Sequence, residues 1–314
     1  MFKGCSNLSS INVAFTDWTQ ATNATTNWVS GVAVNGEFTK PNALSAEYGD
    51  SRIPVGWTIV GEEVDPLTVP LTFVAKSAGS ISFTKVGTPN AATVSYSKNG
   101  GEWTAYTWNS AISLVSGDTV AFSGANTKMG KDKNNYYHFV TPANTVIEAY
   151  GNVQSLLNWS SGCTEYCYQS LFDSCSGIVD ASGVLLPVVT LASHCYRAMF
   201  AKCPNLSSAP IIWATTAAPS CCWYMYQDCK KLLDAPEIKC TTLANNCFGY
   251  MYTGCSNLSS INVNFTDWGS GSYTGGWVGS VKNNSSCKFY KPAALPNTKN
   301  GSNYIPTNWT IVEK

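Results

Sequence analysis

Thirteen cysteines are the first residues in this 314-residue chain whose type and spacing could do chemistry. A structural zinc site wants ligands in pairs two to four residues apart, answered by a second such pair. Here the cysteines recur at a separation of eight, as Cys167 and Cys175, Cys195 and Cys203, Cys221 and Cys229, and Cys247 and Cys255, while His194 stands alone. An odd count forbids complete internal pairing, so the pattern reads as free thiols. Any bridge would be expected to involve Cys163, Cys240 or Cys287, which fall outside it. The other histidine is His138, and a His194–Cys195 pair adjacent in sequence rarely has the geometry to activate a nucleophile. Asp50, Glu62, Glu63, Asp65, Asp180 and Asp234 are available as paired carboxylates for glycoside hydrolysis. None is flagged by an accompanying aromatic motif. Gly100-Gly101 and Gly275-Gly276 lack the lysine and the spacing of a phosphate loop. No cofactor, no metal and no catalytic role is indicated.

The elements that carry those cysteines repeat. Cys167-Tyr-Gln-Ser-Leu171-Phe172-Asp-Ser-Cys175, Cys195-Tyr-Arg-Ala-Met199-Phe200-Ala-Lys-Cys203, Cys221-Cys-Trp-Tyr-Met225-Tyr226-Gln-Asp-Cys229 and Cys247-Phe-Gly-Tyr-Met251-Tyr252-Thr-Gly-Cys255 superpose without gaps, their starts 28, 26 and 26 residues apart. After them come Leu206-Ser-Ser-Ala209-Pro210, Leu232-Leu-Asp-Ala235-Pro236 and Leu258-Ser-Ser-Ile261-Asn262. Thr190-Leu191-Ala192 and Thr242-Leu243-Ala244 precede the cysteines. A period of 20–29 residues marks a solenoid of leucine-rich-repeat type. On a helix, Cys195, Met199, Phe200 and Cys203 would project at about 0, 40, 140 and 80 degrees, using ~100 degrees per residue. That predicts a short helical half followed by a short strand, with buried thiols acting as small hydrophobes. Cys221-Cys222 fits the register, Cys221 on the ladder and Cys222 at the aromatic position.

A longer duplication frames the chain. Met1–Trp18 matches Met251–Trp268 at all positions but Phe2, Lys3 and Ala14. The likeness continues loosely through Trp28, Phe38 and Lys40-Pro41, with Trp277, Phe289 and Lys291-Pro292. It ends in Trp57-Thr-Ile-Val60 and Trp309-Thr-Ile-Val312. These segments read as caps over the open end of a repeat core, with Trp18, Trp28, Trp57, Trp268, Trp277 and Trp309 packed inside them. Met1 begins halfway through a repeat, so the expectation is a piece of a longer protein or a late start. The rival reading is head-to-tail self-association through Met1–Val13.

Residues 66–150 change character. Leu71–Ala75, Ile81–Phe83, Val94–Tyr96, Ile112–Leu114 and Val120–Phe122 alternate apolar and polar residues with period two. Turn chemistry at Lys98-Asn-Gly-Gly101 and Ser116-Gly-Asp118 separates them. An antiparallel sandwich is expected, with Lys128–Asn135 as a solvated loop. The overall expectation is a mixed α/β leucine-rich-repeat solenoid plus an all-β sandwich-like module. The segments are 1–62 (partial repeat and cap), 63–152 (sandwich), 153–268 (solenoid) and 269–314 (C-terminal cap).

Composition narrows the function. Lys plus Arg and Asp plus Glu are both 19, giving zero formal charge, which removes the electrostatic basis for nucleic-acid binding or for anionic membranes. Charged residues make up 12% against a usual ~25%, and the 11 Trp, 16 Tyr and 12 Phe exclude a disordered chain. No apolar run reaches the ~20 residues of a membrane helix, and the start lacks a secretory signal.

The Met/Phe-x-x-Cys-x-x-Leu-x-x-Ala/Ile pattern, with Thr-Leu-Ala before the next Cys, resembles the BspA-type leucine-rich repeats of bacterial surface proteins. With the β-module around Ser97–Trp103 and the Gly56-Trp-Thr-Ile-Val60 end piece, it is similar to proteins of gut Bacteroidales and their phages. The resemblance implies a non-enzymatic adhesion or recognition protein, placed extracellularly on a cell or virion surface. Its partner would be a protein or glycan on a host or partner surface. Residues flanking the repeat strand form the candidate face: Ser207, Ser208, Trp213, Leu233, Asp234, Glu237 and Lys239. Two alternatives stand beside it. One is an assembly role, as in a tail fibre or filament; the other is carbohydrate binding by the β-module through Trp103, Tyr106 and Trp108.

Overall fold

A computed structural model describes residues 1–15, 17–21, 24–41, 44–60, 65–269 and 272–314. The linker residues Gly61–Val64, with Glu62 and Glu63 among them, lie outside that set. The chain divides into two compact units, Met1–Asp65 and Pro66–Lys314.

In the first unit, strands β1 (Ser10–Asn12), β2 (Glu37–Thr39) and β3 (Thr58–Val60) form a parallel sheet in that order. Trp18, Trp28, Phe38, Leu44, Ile53 and Trp57 are buried against one another as its core. Among its described residues the one helical turn is Trp18–Ala21.

The second unit opens with a sandwich. Its strands are β4 (Leu71–Ala75), β5 (Gly79–Val86), β6 (Val94–Lys98), β7 (Thr104–Ala105), β8 (Ala111–Leu114), β9 (Thr119–Gly124), β10 (Gly130–Asp132), β11 (Asn135–Val140) and β12 (Ile147–Asn152). Strand β13 (Ile178–Leu185) joins the edge in parallel with β12. One sheet runs β10-β11-β5-β8 and the other β13-β12-β4-β9-β6-β7. Period-two alternation delivers Phe83 and Phe139 from the first sheet and Phe73 and Phe122 from the second. Their ring centroids lie 4.7 Å apart for Phe73–Phe139 and 4.9 Å for Phe122–Phe139. Such pairs add about 0.5–1.5 kcal/mol each beyond their burial. The expected loop at Lys128–Asn135 contains β10 and the start of β11.

The repeat region overturns the expected fold class. The molecule is nearly all β, and the mixed α/β leucine-rich-repeat solenoid is not what forms. Between Cys167 and Cys255 the nine-residue Cys-to-Cys segments contain no helix; each is a ribbon of overlapping turns. Alternate amides bond within the ribbon three residues back, as in Gln169 N–H to Tyr166 O and Leu171 N–H to Tyr168 O, both 3.2 Å. The intervening amides donate to the next coil, as in Tyr168 to Cys195 O (3.0 Å), Tyr196 to Cys221 O (2.8 Å) and Cys222 to Cys247 O (2.9 Å). An α-helix would consume all these donors internally. Every fourth residue is left-handed: Tyr166, Ser170, Ser174, His194, Ala198, Lys202, Ser220, Tyr224, Asp228, Asn246 and Tyr250 have φ from 54° to 62°. Each such residue other than glycine costs about 1–2 kcal/mol, and the bonds between coils together with side-chain burial offset that cost.

The four-residue turn places i, i+1, i+4, i+5 and i+8 inward, so Cys167, Tyr168, Leu171, Phe172 and Cys175 are all fully buried, and so are their counterparts in later coils. Phe172, Phe200, Tyr226, Tyr252 and Trp277 stack as one column with centroids 4.6, 5.7, 5.8 and 6.2 Å apart. At the other side of each coil single-residue parallel bridges link Leu186, Ile212, Ile238 and Val263. The column meets the sandwich core where Phe139 stacks on Phe172 at 5.7 Å. The unit closes with a parallel sheet of β14 (Ser260–Asn262), β15 (Lys288–Lys291) and β16 (Thr310–Glu313).

Candidate binding face

The cysteine ladder is structural. Cys203 donates its thiol to Phe172 O (3.0 Å), Cys229 to Phe200 O (3.1 Å) and Cys255 to Tyr226 O (3.1 Å). This is why a cysteine suits the last position of each segment: it is small, apolar and able to reach the carbonyl of the previous coil. Burial pushes the Cys175 thiol up to about 11 and the Cys255 thiol up to about 12, so these groups stay protonated and unreactive. All thirteen cysteines are free thiols. Among the described residues no group of three His, Cys, Asp or Glu side chains is arranged to hold a metal.

Cys163 differs. It is half-buried, its sulfur accepts the Ala192 N–H at 3.1 Å, and hydrogen bonds from the Cys167 and Cys195 thiols hold it well below the usual thiol range. His194 contacts Ser193 Oγ at 2.8 Å and Glu165 at 3.8 Å, both through Nδ1. A relay needs the nucleophile and the carboxylate on opposite ring nitrogens, so this trio cannot work as one. Its ring stacks on Tyr166 at 4.6 Å. His138 Nδ1 bonds Asp173 O at 3.0 Å. Asp180 accepts the Ser182 N–H at 2.7 Å.

The expected binding face is partly assembled. Ser207, Ser208, Ile211, Leu233 and Asp234 line one shallow groove across two coils, together with Ala209, Ala235 and Pro236. Ile211 is 48% exposed and Leu233 52%. Ser207 Oγ donates to Val179 O (2.8 Å), and Asp234 accepts from Ser260 Oγ (2.5 Å), so both polar groups are anchored with capacity to spare. Trp213, 37% exposed, lies two residues beyond Ile211. Lys239 is half-buried outside the groove. Glu237 is tied down by Asn264 (3.2 Å) and by Lys314 (3.3 Å).

The three aromatics expected to contact sugar are not brought together. Tyr106 is buried; its hydroxyl accepts the Phe83 N–H at 2.8 Å and donates to Ser110 O. Trp108 packs its ring against Tyr137 at 4.2 Å and Phe83 at 5.2 Å. Only Trp103 is exposed. Met1 and Cys5 are exposed, Phe2 and Leu8 half-buried and Ile11 buried. A surface ladder that the sequence did not reveal runs along the turn side, where the Arg197 guanidinium covers Trp223 at 5.4 Å and Tyr224 at 5.7 Å, and Tyr224 stacks on Tyr250 at 5.1 Å. Its signal was the recurrence of aromatics at the left-handed positions.

No helix among the described residues is long and apolar enough to cross a membrane. Comparison with known proteins finds no matching family model, no matching curated protein and no matching solved structure.

Proposed function

We propose that this chain is a non-enzymatic recognition protein that engages a protein on a host or partner surface through the strand-side groove. The observation that carries the reading is the exposure of large apolar side chains on that side of the coils. Val189, Ile211, Trp213 and Leu233 stay in solvent, while the strand-side residues Leu186, Val188, Ile212 and Ile238 beside them in sequence and register are buried. Apolar anchors rimmed by small hydroxyls and one carboxylate are the composition of a contact surface. The zero net charge suits a partner that is not strongly charged, and the resemblance of the repeat motif to bacterial surface proteins supports an extracellular setting.

The test is binding of the full chain to a panel of extracellular-matrix proteins by surface plasmon resonance, against an Ile211→Asp/Leu233→Asp variant. Both side chains are about half exposed, so the variant should keep its melting temperature and lose at least tenfold in affinity. Binding unchanged in the variant, or absent across the panel, contradicts the reading.

A further inference from the structure

Two groups of tryptophans contrast in this molecule. Trp18, Trp28, Trp57, Trp268, Trp277 and Trp309 are buried, and each donates its indole N–H to a backbone carbonyl 24–28 residues away in sequence. Trp103 and Trp159 are 48% and 41% exposed, their indole N–H groups have no partner among the described residues, and both line one depression on the sandwich.

The rest of that depression is small and polar. Ser95 of β6 and Ser123 of β9 are cross-strand partners. Their in-line neighbours Tyr96 and Phe122 belong to the core side, so alternation turns both hydroxyls outward. The Ser123 hydroxyl donates to Ser155 O at 3.2 Å and keeps its acceptor capacity, while the Ser95 hydroxyl and the Asn158 carboxamide bond nothing among the described residues. The small residues Gly124 and Ala125 complete the lining. No charged residue lines it.

The backbone is arranged to hold the second indole there. Asn158 and Trp159 are consecutive left-handed residues, with φ 52° and 56°. Asparagine tolerates that region; a bulky tryptophan in it is an outlier that persists only where the surroundings enforce it. The Asn158 N–H bonds Gly124 O at 2.8 Å and the Trp159 N–H bonds Gln154 O at 2.9 Å, fixing the turn to the end of β9.

We propose that the Trp103–Trp159 depression is a binding site for a neutral saccharide. An indole face packs against the axial C–H groups of a sugar ring. The free Ser95 hydroxyl, the Asn158 carboxamide and two free indole N–H groups match ring hydroxyls, which both donate and accept. The absence of a charged lining disfavours sialylated, sulfated or phosphorylated glycans. This site is separate from the strand-side groove and does not depend on it.

The test applies the full chain to a microarray of neutral and acidic oligosaccharides, followed by calorimetric titration with the strongest neutral hit. A selective neutral signal, lowered at least tenfold by Trp103→Ala and again by Trp159→Asn, is expected; asparagine keeps the left-handed turn. Val115→Ala, at an exposed residue outside the depression, should leave it unchanged. No signal, binding confined to acidic glycans, or neutral binding that survives both substitutions overturns the proposal.

Discussion

The two copies of the duplicated end piece build the same small core from the same residues, yet they treat their first ten residues differently. In both, three tryptophans bond equivalent carbonyls: Trp18 to Ser45 and Trp268 to Pro296, Trp28 to Arg52 and Trp277 to Tyr304, Trp57 to Ala33 and Trp309 to Lys282. Even the entry turn is reproduced, Leu8 N–H to Cys5 O and Leu258 N–H to Cys255 O at 3.0 Å. The burial is not. Met251, Tyr252, Cys255 and Leu258 are fully buried beneath the coil that precedes them, whereas Met1 is 92% exposed and Cys5 is exposed. Local structure here is written in the local sequence; burial is conferred by the neighbouring coil.

The largest effect should come from the tryptophan that joins the cap to the stack. Trp277→Ala removes a fully buried indole that both fills the cap and ends the aromatic column, and it should cost about 3–5 kcal/mol in urea denaturation. Trp28→Ala should lower only the melting transition of the first unit, seen by calorimetry. A Trp28 variant that shifts every transition equally would break the comparison.

Cysteine substitution sharpens it. Cys255→Ser places a hydroxyl in a fully buried, mostly apolar slot and should destabilise by roughly 1–2 kcal/mol. Cys5→Ser should stay within about 0.5 kcal/mol. Native alkylation followed by mass spectrometry should mark Cys5 and Cys163 and leave the eleven buried thiols untouched until the chain unfolds. Because the Cys163 pKa is lowered, its thiolate survives as pH falls, so Cys163 should still be alkylated at pH 5.

A smaller effect is expected in the sandwich, the region without duplication. Asp118 receives Lys98 Nζ (2.7 Å), Asn99 Nδ2 (2.8 Å) and the Val115 N–H (2.9 Å), which hold its carboxyl at about 2 against an ordinary 3.8. A depressed carboxylate contributes stability above its unfolded pKa and loses it as pH falls through the folded one. The melting difference between the native chain and Asp118→Asn should therefore be present at pH 5 and shrink toward pH 2.

The sandwich was legible because strand alternation is a sequence-local signal. Leu71–Ala75 is β4 as expected, and the other four predicted runs lie inside β5, β6, β8 and β9. The coils misled because a four-residue turn and a 3.6-residue helix bury nearly the same positions over nine residues. Most of the left-handed sites that distinguish them carry Tyr, Ser, His, Ala or Lys, and only Asn246 and Gly254 are of the types that announce such a turn. At the candidate sites, alternation could not tell Trp103, in solvent, from Trp108, in the core. Trp159 was missed because it lies beyond the strands, brought to the depression only by the turn at Asn158. The groove residues Ser207, Leu233 and Asp234 were found because the repeat register separates strand positions from ladder positions.

The coils are joined amide to carbonyl across one full repeat. Trans-hydrogen-bond NMR couplings in a perdeuterated sample test this directly. Couplings are expected from the Tyr196 amide to the Cys221 carbonyl and from Phe200 to Met225. Couplings from Tyr196 and Phe200 to the carbonyls four residues before them would show helices in these segments and contradict this bonding between coils.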